Sequence, residues 1–425
     1  MLGKGSVSFI GVLLLCAWWC IATDESPKTT LDLSKHTLVS ALIFPKDSKW
    51  ESLATSSHAL DSITYFDIPN TQISAHASAI TNVSSVSDKD FMLLYFAGSR
   101  EGARDVGIYQ SFFTFESQNK TLDNSTLKNK NLGTWSEPHR LLDAQKLSQL
   151  SGKFIKKLGN PITFVDRQNR VHLFVVGVSL GGWATSKIYW LCLDSTLQNL
   201  SFVRELHLGP FFNFSHLVRT PPMLKEDGGF ILPIYHELAN KYPLLLDFSP
   251  TLQLDSITKP LELHSQLQPS FIPLDLHTAF GVYRNHKAYN NVLFTSLCDE
   301  LCQSPKSSNL QSFDFSSVLF RSLDSTYLLH NQTQRENGNK REELWIMNLN
   351  EKSLDSESMS FEPVLKLDSF LGNEVSYPSV AESSEYVAVA YTYGRLYIRV
   401  AFVPKAMLKK YTTHSTYYHT QGEQK

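Results

Sequence analysis

Cysteine is scarce in this 425-residue chain, which carries five, and two of them, Cys16 and Cys20, fall in an apolar N-terminal segment. The remaining three, Cys192, Cys298 and Cys302, are too few for a disulfide-stapled scaffold. Their spacing also lacks the second Cys or His pair that a metal site needs. Cys298 and Cys302 can pair locally after export, which leaves Cys192 free. We therefore expect a fold held by its hydrophobic core, with no metal and no cofactor.

An excess of either charge is also missing, since 39 Lys and Arg residues face 41 Asp and Glu residues. The basic residues are scattered, so neither nucleic acid nor an acidic membrane surface is predicted as a partner. One apolar run, residues 7–21, follows Lys4 and precedes Ala22, the pattern of a secretory signal peptide cut after Ala22. The alternative is an uncleaved membrane anchor, for which the run is slightly short. We expect residues 1–22 to be a signal peptide and the mature protein to be secreted or periplasmic.

Long amphipathic helices are missing as well, because no helical pattern exceeds about two turns. From residue 61 onward, short runs rich in Val, Ile, Leu, Phe and Tyr alternate with Asn, Asp, Gly, Ser and Pro clusters, which is typical of strands and turns. Acidic or amide turns follow strands at Asp194, Asp247, Asp299 and Asn348, about 50 residues apart. Four short strands fill that length, which is one propeller blade, and six blades account for the mature chain. The alternative is a pair of β-sandwiches.

The predicted fold is thus all-β, a six-bladed β-propeller over residues 61–404. Residues 23–60 are polar and are expected to form an extended arm, or the start of the propeller, with a strand near residues 39–44. Residues 405–425 are basic and then polar, without helical periodicity, and are expected to be disordered.

A glycine-rich segment, residues 96–109, joins two apolar runs and is predicted to be a hairpin. Its charged residues, Arg100, Glu101, Arg104 and Asp105, are separated by small residues that allow a tight turn and let the charged groups converge. Such loops at the end of a sheet commonly carry function. The alternative is a solvated polar loop.

Several segments along the chain share features with one family of propellers: Leu94–Asp105, Gly133–Ser136, Gly159–Pro161, Arg219–Pro222, Gly229–Glu237, Leu267–Ser270, Val282–Arg284, Lys340–Trp345, Val375–Ser379 and Tyr386–Arg399. Through these segments, residues 70–403 resemble the bacterial sialidase-like proteins of the BNR-repeat class, relatives of the exo-sialidases, and the segments follow in the family's order. The turn Gly133-Thr134-Trp135-Ser136 is similar to a degraded Asp-box of these propellers, in which the Trp fills the space between strands.

The resemblance implies an exo-glycosidase that removes a terminal acidic sugar such as sialic acid, with retention. It implies Asp105 as general acid and base and Tyr377 as nucleophile. Arg284 and Arg341 would hold the sugar carboxylate, since a guanidinium fork matches its two oxygens, and Arg219 is a third candidate. A carboxylate nucleophile would be repelled by the substrate's own carboxylate, which favours a phenol.

Two departures from the family stand out. Gln268 occupies the position of the glutamate that would activate the phenol, and an amide cannot take a proton, so Glu237, Glu374 and His236 are the alternative bases. The strand that should carry the first arginine of the carboxylate clamp has His76 instead. Either the clamp is weaker or the sugar is different. The complete predicted substrate-binding set is Arg100, Glu101, His76, Arg219, Tyr235, His236, Gln268, Arg284, Arg341 and Tyr391.

Three functions remain open on these residues. The leading hypothesis is a sialidase-type hydrolase with a glycan or glycoconjugate as substrate. The second is a glycan-binding propeller that kept the cavity and lost the reaction, which Gln268 and the missing arginine favour. The third is a related glycosidase or lyase that acts on a different uronic or deoxy sugar, with His76 and His236 in the site.

Overall fold

The computed structural model describes residues 31–39, 62–116, 132–209, 213–238, 241–260, 263–286, 291–332 and 340–409. The predicted signal peptide and most of the predicted strand at residues 39–44 lie outside these residues. The described part of the chain forms six antiparallel sheets of four or five strands each. This is the predicted six-bladed all-β propeller.

The strands are numbered along the chain. Their bounds are β1 Thr64–Ile68, β2 Ser74–Asn82, β3 Phe91–Gly98, β4 Gly107–Phe115, β5 Gly133–Trp135, β6 His139–Asp143, β7 Lys157–Val165, β8 Val171–Val178, β9 Ser186–Leu193, β10 Leu200–Glu205, β11 His216–Val218, β12 Met223–Leu224, β13 Phe230–His236, β14 Tyr242–Phe248, β15 Leu254–Thr258, β16 Gln266–Pro273, β17 Ala279–Asn285, β18 Val292–Cys298, β19 Lys306–Gln311, β20 Val318–Ser322, β21 Ser325–Asn331, β22 Glu343–Leu349, β23 Phe361–Ser369, β24 Val375–Glu382, β25 Tyr386–Tyr393 and β26 Tyr397–Pro404.

Each blade is built from strands that follow one another in the chain. Blade 1 contains β2 to β6, blade 2 β7 to β10, blade 3 β11 to β15, blade 4 β16 to β19 and blade 5 β20 to β23. Blade 6 combines β24, β25 and β26 with β1, which pairs antiparallel with β26 from Thr64 opposite Phe402 to Ile68 opposite Ile398. The first strand therefore closes the ring by completing the last blade.

The hydrophobic core consists of six clusters, one at each interface between neighbouring blades. Strands β3 and β8 are buried along their whole length, because both faces of a blade pack against other blades. The two strands therefore read as continuous apolar runs rather than as alternating patterns. The Trp135 ring, which was expected to fill a gap between strands, packs at 5.3 Å from Phe113 in the cluster between blades 6 and 1.

In the described part of the chain, helices are few and short. Helix α1, Ala144–Ser151, is capped by Asp143, whose side chain accepts a hydrogen bond from Lys146 N at 2.8 Å, and it ends at the left-handed Gly152. Single 3₁₀ turns cover Leu33–Lys35, Trp183–Thr185 and Glu351–Ser353. Among the described residues, no helix has the length and apolar character needed to cross a bilayer.

Segments before and after the ring of blades pack against it. In the N-terminal arm, Leu31, Leu33 and Leu38 are buried in the cluster between blades 3 and 4. Residues 405–409 form a helical turn with Leu408 fully buried between blades 5 and 6, so the expectation of a disordered tail is wrong for these residues. Hydrophobic anchoring by one leucine explains the difference. Residues 410–425 lie outside the described part.

The expected local disulfide is present between Cys298 and Cys302, at the end of β18. Cys192 is free, as expected. Burial raises the pKa of its thiol to about 11, so it is protonated at neutral pH.

Candidate active site

Four of the strands that open a blade share one irregularity. In β2, β7, β16 and β24 the pairing register with the next strand shifts after the second or third residue of the strand, which is the mark of a β-bulge. Three non-glycine residues at these bulges have a left-handed backbone, Ala77 with φ 52°, Gln268 with φ 44° and Tyr377 with φ 53°. Bulges re-aim side chains, and here they turn residues of several blades toward a common place.

Tyr377 of blade 6 lies at the meeting point of five blades. Its hydroxyl oxygen accepts a hydrogen bond from Arg284 Nη1 of blade 4 at 3.0 Å. The guanidinium carbons of Arg219 and Arg341, from blades 3 and 5, lie 5.3 and 6.0 Å from the centre of the phenol ring. The centre of the His76 imidazole ring, from blade 1, lies 4.2 Å from the centre of the phenol ring. Such a set of neighbours places the phenol at the centre of the ring of blades.

The electrostatic surroundings of Tyr377 favour its ionised form. Burial raises the pKa of the phenol, but the charges of Arg284 and Arg341 and the hydrogen bond from Arg284 outweigh it, so the pKa lies below its usual value of 10.0. Glu101 opposes this effect with its negative charge. The neighbouring guanidinium charges therefore make loss of the phenol proton easier.

The two arginines predicted to bind a carboxylate are held in place by acidic residues. Arg284 Nε donates to Asp314 Oδ1 at 2.6 Å, and Arg341 Nη2 donates to the backbone carbonyl of Asp314 at 2.8 Å. Arg341 also forms an ion pair with Glu374 at 3.2 Å. Sequence reasoning missed Asp314, which joins both arginines and also accepts a contact from His286 at 3.2 Å.

Arg219, the third candidate, forms the floor of the cluster. It is 3% exposed and donates to Ser316 Oγ at 3.2 Å and to the carbonyl oxygens of Ser78 at 3.2 Å and Pro378 at 2.7 Å. Burial lowers the pKa of its guanidinium to about 10. Because the guanidinium donors of Arg219 are bound by acceptors within the protein, we interpret Arg219 as a residue that supports the Tyr377 segment rather than as a ligand-binding residue.

Gln268 and Tyr235 form a buried pair next to the cluster. Gln268 Nε2 donates to the Tyr235 hydroxyl at 3.5 Å, and Gln268 Oε1 has no hydrogen-bond partner among the described residues. The pKa of Tyr235 is raised, chiefly by burial and then by the charge of Glu237. A neutral amide therefore stands at position 268, where the resemblance implies a glutamate that accepts the proton of the phenol.

The alternative bases have different surroundings. Burial raises the pKa of Glu237, with partial compensation by Lys241, whose amine lies 3.9 Å from the carboxylate, and by Arg284. His236 stacks on Tyr242 with 4.8 Å between ring centres. Both oxygens of Glu374 contact arginines, so this carboxylate is occupied.

Asp105 lies in the exposed loop between β3 and β4. The Asp105 carboxylate is exposed and accepts hydrogen bonds from Ser99 N and Ser99 Oγ, both at 2.9 Å; the Ser99 hydroxyl bond is the largest cause that lowers its pKa. Arg100 is exposed. Glu101 reaches away from the loop and accepts a hydrogen bond from Arg395 Nη1 at 2.7 Å. The structure thus connects the loop to the cluster through Glu101.

Tyr391 lies elsewhere, in the core between blades 5 and 6, where its hydroxyl donates to Asp368 Oδ2 at 2.7 Å. Arg395, in contrast, was not predicted and belongs to the cluster, because it contacts both Glu374 and Glu101. Its only sequence signal is the preceding Gly394, which indicates an ordinary hairpin turn.

Comparison with protein families matches residues 89–398 to the BNR repeat-like domain, which is well over half of the chain. Comparison with curated proteins gave no match. The shared region begins before the loop with Asp105 and ends within β26, so it contains Tyr377 and the four arginines of the cluster.

Solved structures share the fold. The Hadza microbial sialidase Hz136 is similar with a TM-score of 0.54 at 12% identity, over 78% of this chain and 66% of that one. A Dyadobacter fermentans protein of unknown function gives 0.56 at 11% identity, over 81% and 100% of the two chains. Trypanosoma rangeli sialidase in complex with sialic acid gives 0.52 at 10% identity, over 85% and 60%. The chain spans less than two thirds of either sialidase, and identities this low show a common fold alone.

Proposed function

Because the chain belongs to the BNR repeat-like domain family, we propose that it is a glycosidase of sialidase type, which removes a terminal acidic sugar from glycans. The observation that carries the proposal is the half-buried phenol of Tyr377, whose hydroxyl lies 3.0 Å from Arg284 and whose pKa is lowered by two arginines. A nucleophile and an anion-binding group are thereby in direct contact. A sugar with a carboxylate on its anomeric carbon needs both at this distance.

The proposed reaction has two steps. Arg284 and Arg341 bind the sugar carboxylate, and Tyr377, after losing its proton to solvent, attacks the anomeric carbon as the phenolate while the glycosidic oxygen leaves with a proton from Asp105. Water then attacks the same carbon and gives a proton to Asp105, which releases the sugar and restores the phenolate. Two displacements retain the configuration at the anomeric carbon.

Asp105 must change its surroundings to act as an acid. Its carboxylate is exposed, bonded to Ser99 and lowered in pKa, so it is ionised at neutral pH. A bound sugar that covers the loop would desolvate the carboxylate and displace Ser99, and both effects raise the pKa of an acid. Gln268 cannot deprotonate Tyr377, but the lowered pKa of the phenol reduces the need for a base.

Hydrolysis of a fluorogenic sialoside by the full chain tests the proposal. We expect turnover by the wild-type protein, loss of at least 100-fold with Tyr377→Phe, a level typical of removing a nucleophile, and a similar loss with Asp105→Ala. Tyr391→Phe is the matched control, because it removes a buried hydroxyl that contacts Asp368 instead. Full turnover by Tyr377→Phe would refute the assigned nucleophile.

A second candidate function is glycan binding without hydrolysis, which the neutral amide of Gln268 favours. It predicts saturable binding of sialylated glycans on an array with no release of sugar from the fluorogenic substrate. A panel of aryl glycosides with other uronic and deoxy sugars separates both candidates from a glycosidase or lyase of different specificity.

The proposal includes export of the protein. The disulfide between Cys298 and Cys302 supports it, since disulfides persist in oxidising compartments. N-terminal sequencing of protein collected outside the producing cell should begin at Thr23. A protein retained inside the cell with Met1 intact would contradict export.

A further inference from the structure

The most exposed large apolar residues are gathered mainly on one face of the ring. Among the described residues, six of them are at least half exposed: Ile73 at 77%, Leu371 at 73%, Leu180 at 70%, Phe154 at 65%, Leu301 at 58% and Leu396 at 50%. A single exposed apolar residue needs no explanation, but several on one surface indicate a binding partner. Their positions in the fold therefore decide what they mean.

Five of the six lie at the same end of the blades. Each blade is built of consecutive antiparallel strands, so the connection into its first strand and the connection between its second and third strands are at one end. The first kind of connection carries Ile73, Phe154 and Leu371, and the second kind carries Leu180 and Leu396. These connections belong to blades 6, 1 and 2, which are neighbours in the ring.

The turn of residues 394–396 brings three of the five together. Leu396 is part of this turn, and the Arg395 carbonyl accepts a hydrogen bond at 3.0 Å from the backbone amide two residues after Ile73. The aromatic ring just before Leu371 lies against the turn, since a Cβ at Gly394 would come within 2.5 Å of it. The three side chains therefore project from neighbouring connections.

The loop between β3 and β4 links this turn to blade 2. On one side, Glu101 of the loop accepts a hydrogen bond from Arg395 Nη1 at 2.7 Å. On the other side, a Cβ at Gly102 would lie 3.8 Å from the ring of Trp183, which belongs to the same connection as Leu180. The five residues thus follow one another over blades 6, 1 and 2, and we call them the apolar arc: Leu371, Leu396, Ile73, Leu180 and Phe154.

Basic residues accompany the apolar arc. Arg100 and Arg104 are exposed in the loop between β3 and β4, and the side chain of Lys153, next to Phe154, is 42% exposed. Glu205 pairs with Lys153 at 2.7 Å, but it pairs with Lys187 at 2.9 Å as well. Six Lys and Arg residues and three Asp and Glu residues lie in the connections that form this surface, residues 69–73, 99–106, 144–156, 179–185, 370–374 and 394–396. Basic residues that are scattered along the sequence, and that predicted no acidic surface as a partner, are therefore collected by the fold.

We propose that the apolar arc binds the surface of a lipid bilayer with anionic headgroups. Apolar side chains that project from turns enter the boundary between headgroups and acyl chains, while neighbouring Lys and Arg residues attract anionic headgroups. A bilayer fits this arrangement because the five side chains come from separate connections and need only reach a common level. A protein partner would instead need a surface that matches all of them. The inference goes beyond the proposed function, since it concerns the rim of the ring and does not require hydrolysis.

Sedimentation of the exported protein with sugar-free vesicles tests the inference. One set of vesicles is pure phosphatidylcholine, and the other is an equal mixture of phosphatidylcholine and phosphatidylserine. We expect wild type to bind the mixed vesicles more tightly, and added salt to remove that preference. Phe154→Ser and Leu371→Ser, at the two ends of the arc, should each weaken binding about 10-fold, as for the loss of one partly buried apolar side chain. Arg104→Gln should weaken binding to the mixed vesicles only.

Leu301→Ser is the matched control. Leu301 is as exposed as the residues of the arc, but it lies between β18 and β19, at the opposite end of the blades. Its replacement should leave vesicle binding unchanged. Exposed residues contribute little to folding, so all of these variants should fold, and thermal melting checks this.

The remaining outcomes overturn the inference or separate it from the proposed function. Wild type that sediments with neither kind of vesicle would overturn it, as would an equal loss of binding in Phe154→Ser and Leu301→Ser. A wild-type dimer in analytical ultracentrifugation that Phe154→Ser dissociates, without vesicle binding, would assign the arc to contact between two copies of the chain. Because the vesicles contain no sugar, wild type that binds them but leaves a sialoside intact would support the inference and refute the glycosidase proposal.

Discussion

Replacing Arg284 by Met should raise the pKa of the Tyr377 phenol. The guanidinium donates to the hydroxyl at 3.0 Å, and its charge and hydrogen bond both lower the phenol's pKa. Two unit charges about 4 Å apart at an effective dielectric constant of about 20 interact with roughly 4 kcal/mol. Asp314, which is 2.6 Å from the same guanidinium, offsets part of this attraction. We therefore expect about 2 kcal/mol to be lost, or an upward move of the titration midpoint by about 1.5 pH units.

Ultraviolet difference titration of tyrosinate measures this effect. The chain has 17 tyrosines, so the titration of Tyr377→Phe is subtracted to isolate one phenol, and circular dichroism defines the pH range in which the fold persists. Wild type should titrate below the usual value of 10.0 and Arg284→Met above the wild type. Arg204→Met is the control, because that guanidinium stacks on Trp190 in blade 2. An unchanged midpoint in Arg284→Met would refute the electrostatic account of Tyr377.

Three further predictions concern stability. The pKa of His76 is lowered well below its usual value, so below pH ~6.5 the unfolded chain binds a proton at this residue and the folded chain does not. The free energy of unfolding should therefore fall by up to ~1.36 kcal/mol per pH unit on acidification. His76→Gln should flatten that slope, as measured by urea titrations at several pH values. Gly281→Ala should cost about 1–3 kcal/mol in the same assay, because a Cβ at this position would meet the buried ring of Phe271. Replacing both Cys298 and Cys302 by Ser should cost about 2 kcal/mol, the value for so short a loop.

Each of these predictions has a control and an outcome that would contradict it. Gly182→Ala is the match for Gly281→Ala, since a Cβ there meets no atom within 4 Å. Equal stability of the two alanine variants would show that blade 4 adapts without strain. A reductant should reproduce the effect of the double serine variant, and an unchanged unfolding midpoint would mean that the bridge is only local. An identical pH slope in wild type and His76→Gln would contradict a neutral buried imidazole.

Spacing along the chain was enough to predict the number of blades. Each blade needs four short strands, and turns about 50 residues apart report that unit directly. Closure of the ring left no such signal, because β1 pairs with β26 across almost the whole chain, and a five-residue strand with half-exposed positions looks like any other. The buried turn at Leu408 was missed for a similar reason, since one apolar residue makes no period.

Resemblance predicted three residues of the central cluster, but it also included Tyr391, which lies in the core between blades 5 and 6. It missed the residues that only contacts in the folded chain reveal. Tyr377, Arg284 and Arg341 do lie together, although their roles stay predictions. Asp314 stands between two phenylalanines in a short connection, and only the folded chain shows that it joins two arginines. Arg395 follows Gly394 in what reads as a simple turn.

A usable signal for the bulges was present in the sequence. Gln268-Pro269 and Tyr377-Pro378 place proline directly after the left-handed residue of two bulged strands. Proline interrupts a ladder and is confined to edges and bulges in sheets, so the shared pattern predicts two equivalent bulges. A residue just before such a proline in a blade's first strand is therefore a good candidate to face the centre.

The seam in blade 6 determines when the ring of blades can close during synthesis of the chain. Asp67 and Arg399, which form an ion pair across that seam, are 332 residues apart. At about 5–20 residues per second, the ribosome needs roughly 15–65 s to deliver the partner strand, during which β1 stays unpaired and five blades present an open ring. Tyr377 and Arg395 both arrive on this last blade. The central cluster of side chains is therefore incomplete until the strands of blade 6 have been synthesised.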